Sequence, residues 1–168
     1  MEKLQKIIHY IIWKCRDPKS LGATKLNKIL WYADANHFIQ YGTPITEATY
    51  EKRQHGPVAQ YVMQARKKLE SEKKIHVRDT SSYGEGYATT LFYSLEDPDI
   101  SEFTATNISV LDRIIEHICE NHTAKSISEE SHDIIWKAAV IGEVMPLYTV
   151  LAGKTGELTG EDMEWARQ

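Results

Sequence analysis

Between residues 24 and 41 the chain carries apolar groups on two sides of one helical wheel. Leu26, Ile29, Leu30, Ala33, His37 and Tyr41 fall in one arc, and Trp31, Ala35, Phe38 and Ile39 in another. A helix that is apolar on two faces must be packed on two faces, so this segment is predicted to run through the middle of the domain. Asn27 and Asp34 lie on the strip between the arcs, where a polar side chain needs hydrogen-bond partners. Gly42 supplies a helix stop and Pro44 prevents continuation.

The flanking segments read as covers for this helix. Leu4, Ile7, Ile8, Ile11, Ile12 and Cys15 make one stripe over residues 2 to 16, ending before Asp17-Pro18, with Trp13 on the opposite face as a partly covered surface residue. After a short extended piece at 49 to 53, Gly56-Pro57 reads as a turn that sets proline at the first position of a basic helix over 57 to 73. Val58, Tyr61, Val62, Ala65 and Leu69 form its expected inner side. Residues 75 to 79 and 87 to 95 read as a β-hairpin with Val77, Leu91 and Tyr93 packed. A helix over 105 to 121 follows, striped by Ile108, Leu111, Ile115, Ile118 and Cys119. Ser126 and Glu129 have capping-box spacing, which predicts a short helix that includes His132. Residues 133 to 139 and 146 to 152 read as further short helices, and 153 to 168, with Trp165, as a peripheral tail.

The expected fold class is therefore mainly α with a small β-hairpin (α+β). It is read as one compact domain over 1 to 168, built around the central buried helix, with a winged-helix-like element order in its first half. A hydrophobic share of 42 % over 168 residues is enough for such a core and excludes wholesale disorder. The net charge of −4 conceals a polarity: residues 1 to 78 carry +8 and 79 to 168 carry −12. Cys15 and Cys119 read as reduced core residues, no apolar run reaches membrane-spanning length, and the start lacks the apolar stretch of a signal peptide. The expectation is a cytoplasmic protein with no membrane partner.

Chemistry-bearing motifs are sparse. Zinc sites need ligands that converge, and on a continuous helix His117 and His122 would point about 140° apart, so no metal site is expected. There is no nucleophile elbow and no phosphate-cradling glycine loop, so neither an enzyme nor a cofactor is expected. Nucleic-acid binding is the stronger competitor. The order helix, helix, basic helix, hairpin is that of a winged helix, and Gln60, Gln64, Arg66, Lys67 and Lys68 are residue types that contact bases or phosphates. A pI of about 6.0 lacks the footprint of a dedicated nucleic-acid binder.

Two blocks resemble a known family. The first is Thr24-Lys25-Leu26-Asn27-Lys28-Ile29-Leu30-Trp31-Tyr32-Ala33-Asp34, followed by His37, Tyr41-Gly42, Pro44-Ile45-Thr46, Tyr50, Lys52 and His55-Gly56-Pro57-Val58. The second is Thr123-Ala124-Lys125-Ser126-Ile127-Ser128 with Ser131-His132 and Trp136. In this order they resemble the Panacea domain of SocA-like antitoxins and phage-associated GepA-like proteins. Trp31 replaces a common tyrosine, and Ala59-Gln60 stands where another proline is frequent. The resemblance implies an antitoxin that binds a cognate toxin encoded next door, or an adaptor that delivers the toxin to a ClpXP-type protease. It carries no catalytic residues. It singles out Lys28, Tyr32, Asp34, His37, Gly56, Pro57, Val58, His132 and Trp136 as motif positions, read mainly as scaffold and otherwise as partner contacts. The alternative reading is a winged-helix-like DNA-binding regulator.

Overall fold

The elements of the computed structural model, which describes residues 2–80 and 89–152, surround one helix. In chain order they are α1 (Glu2–Lys14), α2 (Pro18–Tyr41), β1 (Tyr50–Arg53), β2 (Gly56–Ala59), α3 (Val62–Ser71), β3 (Ile75–Thr80), β4 (Thr89–Ser94), α4 (Ala105–Asn121), α5 (Ala124–Glu130) and α6 (Ile134–Ala138). A two-residue strand β5 (Val144–Met145) and a 3-10 helix at Leu147–Leu151 complete the described chain. The hairpin loop tip and the expected tail at 153 to 168 lie outside the described residues.

The central helix is α2, packed on α4, β4, β2, α5 and α1. Both of its apolar arcs are used. Leu26, Ile29, Leu30 and Ala33 are fully buried on one side, and Trp31 and Ala35 are buried on the other. Tyr41 departs from expectation: Gly42 ends the helix in the left-handed conformation, its N–H donating to the Phe38 carbonyl, and the Tyr41 ring lies half-exposed against His37. The helix also begins earlier than expected, at Pro18 capped by Asp17, with a kink at Gly22, whose φ of +66° breaks the helical run.

The largest correction concerns Gly56-Pro57. These residues do not start a helix; they open β2, which pairs antiparallel with β1 in the register Lys52↔Pro57 and Arg53↔Gly56. The three-stranded order β2-β1-β5 puts β2 at an edge, where a residue without an N–H is tolerated. Gly56 is required because its φ is +108° and a Cβ there would stand 1.8 Å from Lys28 Nζ and 2.4 Å from Ser131 Oγ. The basic helix is consequently shorter, starting at Val62 after Tyr61, whose ring is exposed rather than inward.

Two further readings shift. In the β3–β4 hairpin, Val77 opposes Phe92, and Ile75 and Phe92 are the buried residues, whereas Leu91 and Tyr93 are only half-buried. The capping box belongs to Thr123 and Ser126, not Ser126 and Glu129, so α5 stops at Glu130 and His132 lies beyond it. The charged halves of the sequence meet in space: Lys6 pairs with Asp99 at 2.9 Å and with Glu102, and Lys14 pairs with Asp112 at 2.7 Å. Part of the polarity is thereby spent inside the fold. Among the described residues no helix is long and apolar enough to cross a membrane.

Candidate functional site

The second turn of the straight part of α2 carries Lys28, and one helical turn later Tyr32, on the side covered by the β1–β2 hairpin and by α5. Lys28 is 1 % exposed, and its Nζ has no hydrogen-bond partner among the described residues. Burial pulls its ammonium down from 10.5 to about 7. Around it the loops are locked by serines. Ser128 Oγ donates to the His55 carbonyl at 3.0 Å, and Ser131 Oγ donates to the Ser128 carbonyl at 2.7 Å. The Ser131 hydroxyl beside Lys28 is thus committed to backbone and sealed at 2 % exposure.

At the mouth of this enclosure His132 stacks on Trp136 at 3.7 Å between ring centroids. Asp133 caps α6 by accepting from Trp136 N at 2.8 Å, and Trp136 Nε1 donates to the Arg53 carbonyl at 3.1 Å, which ties α6 to β1. Lys52 completes the arrangement. Its Nζ lies 4.0 Å over the Trp136 ring and donates to the Ala139 carbonyl at 2.8 Å. His132 is held below the ordinary histidine range, first by burial and then by the positive neighbours Lys28, His55 and Lys52. Burial foremost, with help from Glu130 and Asp133, pushes the Tyr32 phenol upward. Beside Lys28 a cavity of about 420 Å³ opens between Ala23, Asn27, Arg53, His55, Val58 and Ile141. The site is a nitrogen-rich notch around an unpaired lysine whose charged form is disfavoured by burial.

The sequence profile described as "Antitoxin SocA-like, Panacea domain" matches residues 26–137. The chain belongs to this family of SocA-like antitoxins. The matched span opens two residues before Lys28 and closes one residue after Trp136, so it includes Lys28, Tyr32, Lys52, Gly56, Ser131, His132 and Trp136. No curated protein and no solved structure matches the chain.

Within this Panacea domain the motif positions separate into two groups. Lys28, Tyr32, Gly56, His132 and Trp136 build the notch, flanked by Pro57 and Val58 on the edge strand. Asp34 and His37 lie elsewhere on α2. Asp34 is fully buried and accepts from the backbone N–H of Ile45 and Thr46, at 2.8 and 2.7 Å, and from the hydroxyls of Thr46 and Tyr50. His37 bridges the Thr43 carbonyl, 2.6 Å from Nδ1, to Asn107 Nδ2, 3.0 Å from Nε2, and so joins the end of α2 to the start of α4. These two hold loops in place. Lys52 and Ser131, quoted in the family-like blocks but not among the singled-out motif positions, are also part of the notch.

The residues expected to face nucleic acid have different surroundings. Gln60 donates to Glu51 Oε1 at 2.6 Å and lies outside α3. Arg66 sets its guanidinium 4.6 Å over the Phe92 ring, and burial lowers its pKa. Gln64, Lys67 and Lys68 are exposed, with Lys68 3.9 Å from Glu72.

Two pairs that the sequence did not bring together are adjacent. His122 is not helical; as the C-cap of α4 it has φ −125° and ψ 146°, so its ring folds back toward His117 with 3.3 Å between the Nε2 atoms. The expectation that these rings diverge is corrected by that extended residue. Cys15 and Cys119, remote in sequence, bring their Sγ atoms to 2.9 Å. The hydrogen bond from Cys119 is the main cause that lowers Cys15 to about 7, while the same contact raises Cys119. Because the more acidic thiol is the better nucleophile near neutral pH, diamide should couple the two. The expected result is loss of both titratable thiols and a faster-migrating monomer on a non-reducing gel; two thiols that persist under diamide would contradict it.

Proposed function

We propose that this chain is an antitoxin that neutralises a cognate toxin, encoded beside it, by direct protein binding and without catalysis. The observation that carries this reading is membership of the SocA-like antitoxin family across 26–137. The surface supports it downstream of the notch. Ile134, Val140, Ile141, Val144, Tyr148 and Leu151 are all exposed on the short elements that follow His132, with Ile134 at 73 % and Val140 at 71 %. Ile134 and Val144 share a groove of about 410 Å³ with Met145 and Pro146. Such a concentration of exposed apolar groups is characteristic of a protein-binding face. In the adaptor version of the same reading, the bound toxin is handed to a ClpXP-type protease, and its half-life falls when both are present.

Co-expression with the neighbouring gene product tests the proposal. Growth should be restored and the two proteins should co-purify. Ile134→Asp and Val144→Asp should weaken capture by about 10-fold or more, the effect of placing a charge in a desolvated hot spot, while circular dichroism remains unchanged. Toxicity unaffected by co-expression, together with no co-purification, would remove the antitoxin reading. Capture unaffected by both substitutions would move the interface elsewhere.

A further inference from the structure

The turn between α4 and α5 brings together His117, His122 and Glu130. Their ligand atoms all lie within 4.8 Å of one another. The two Nε2 atoms are 3.3 Å apart, and His122 Nε2 is 3.6 Å from Glu130 Oε2. Two zinc-bound imidazoles at Zn–N of about 2.0 to 2.1 Å in a tetrahedron have their nitrogens about 3.3 to 3.4 Å apart, so the histidine pair already spans one edge of that polyhedron. The Glu130 carboxylate is a few tenths of an ångström from closing on His122 and lies within 4.8 Å of His117, so its half-exposed side chain must swing toward His117 to complete the third edge.

A second observation concerns which nitrogen is available. Ser126 Oγ donates to the Thr123 carbonyl at 3.3 Å and accepts from Thr123 N–H at 3.0 Å. When the hydroxyl proton goes to the Thr123 carbonyl, Ser126 Oγ accepts from His122 Nδ1, 3.2 Å away. In that arrangement His122 carries its proton on Nδ1 and its Nε2 lone pair is available toward His117 and Glu130. A hydrogen bond on the far nitrogen is the usual way a protein orients a metal-binding imidazole. On the other ring, Asn121 lies 3.5 Å from His117 Nδ1, and rotation of its amide lets the oxygen accept an Nδ1–H and frees His117 Nε2 in the same sense.

We infer that His117 Nε2, His122 Nε2 and the Glu130 carboxylate form a site for one divalent transition-metal ion of the Zn²⁺ class. Two imidazoles and a carboxylate are a donor set suited to Zn²⁺ and Co²⁺, and they leave the fourth tetrahedral position to water or to a group from a partner. The ion would clamp the last turn of α4 to the end of α5, two elements that pack on α2. The inference is independent of the toxin-binding reading.

The test uses the full chain, freed of metal by EDTA and then of EDTA by dialysis. Titration with Co²⁺ should develop the visible absorption of a four-coordinate ion to one equivalent, and Zn²⁺ should displace it. Zn²⁺ should also raise the melting temperature. Ser126→Ala should weaken binding about 10- to 100-fold, the usual range for loss of an orienting partner. His117→Ala, His122→Ala and Glu130→Gln should each weaken it further, with circular dichroism unchanged. His76→Ala, at an exposed histidine outside the cluster, should bind as the unaltered chain does. Absence of a saturable isotherm, or binding retained in the His117→Ala/His122→Ala double variant, overturns the site.

Discussion

Asp34→Ala is expected to remove about 3 to 5 kcal/mol of folding stability, enough to unfold a domain of ordinary margin at physiological temperature. The carboxylate is wholly buried and its two oxygens receive four donors: the N–H groups of Ile45 and Thr46 and the hydroxyls of Thr46 and Tyr50. Thr46 Oγ1 in turn accepts from Ala48 N at 3.0 Å, so one side chain fixes the path from the end of α2 into β1. Alanine leaves these donors facing a cavity, and a buried donor without a partner costs about 1 to 3 kcal/mol. The effects are not additive, because the 45–50 segment can open to water rather than bear the full sum. Asp34→Asn keeps one acceptor oxygen for the two N–H groups and lets the hydroxyls turn to accept, so its loss should be about half as large. Urea unfolding followed by tryptophan fluorescence measures both variants; an Asp34→Ala midpoint within error of the unaltered chain would show that the segment is held by something else.

That anchor was only half legible. The position of Asp34 between two apolar arcs of the 24 to 41 segment announced a buried carboxylate, since wheel geometry is a local property. Its partners were not, because they sit on a loop whose path depends on β1 pairing with two other strands. The same distinction separates the readings that agree with the structure from those that do not. Helices with one continuous stripe, α1 and α4, appear close to their expected bounds. Gly56-Pro57 misled because glycine followed by proline suits a helix start and an edge-strand hairpin equally well; Lys28 and Ser131, distant in sequence, force the second. β5 carries no local signal, since two residues become a strand only by pairing with Tyr50 and Glu51. The His117–His122 approach failed for a different reason: the wheel assumes helical dihedrals, and His122 has left the helix. In the candidate site, family-like spacing found the motif residues, but what makes Lys28 unusual is a missing partner, which no sequence pattern records.

The missing partner leads to the opposite expectation for that lysine: Lys28→Met should stabilise the domain at neutral pH. Bringing the ammonium from 10.5 to about 7 reflects burial alone, without an opposing carboxylate. At about 1.4 kcal/mol per unit, that fall corresponds to an upper limit of roughly 4 to 5 kcal/mol of destabilisation. The sign follows from proton counting. Between about 7 and 10.5 the unfolded chain binds the proton and the folded chain does not, so stability rises with pH across that window. Below about 7 the whole penalty is present. Methionine keeps the length of the stem and needs no partner for its end, so it should sit beneath Gly56 without the charge cost. The gain over the unaltered chain should therefore be largest at pH 6 to 7, reaching about 4 kcal/mol, and shrink toward zero near pH 10. Comparing the two proteins at each pH cancels the titrating groups that Lys28 does not touch, leaving its neighbour His132 as the one coupled group, and a difference that is negative or independent of pH would refute the assignment. The same variant separates two roles for the motif. If Lys28 only fills space, Lys28→Met should rescue growth from the toxin as well as the unaltered chain does. If the domain carries a costly buried amine because the partner uses it, the more stable protein should be the weaker antitoxin, a trade between stability and function that merely structural positions do not make.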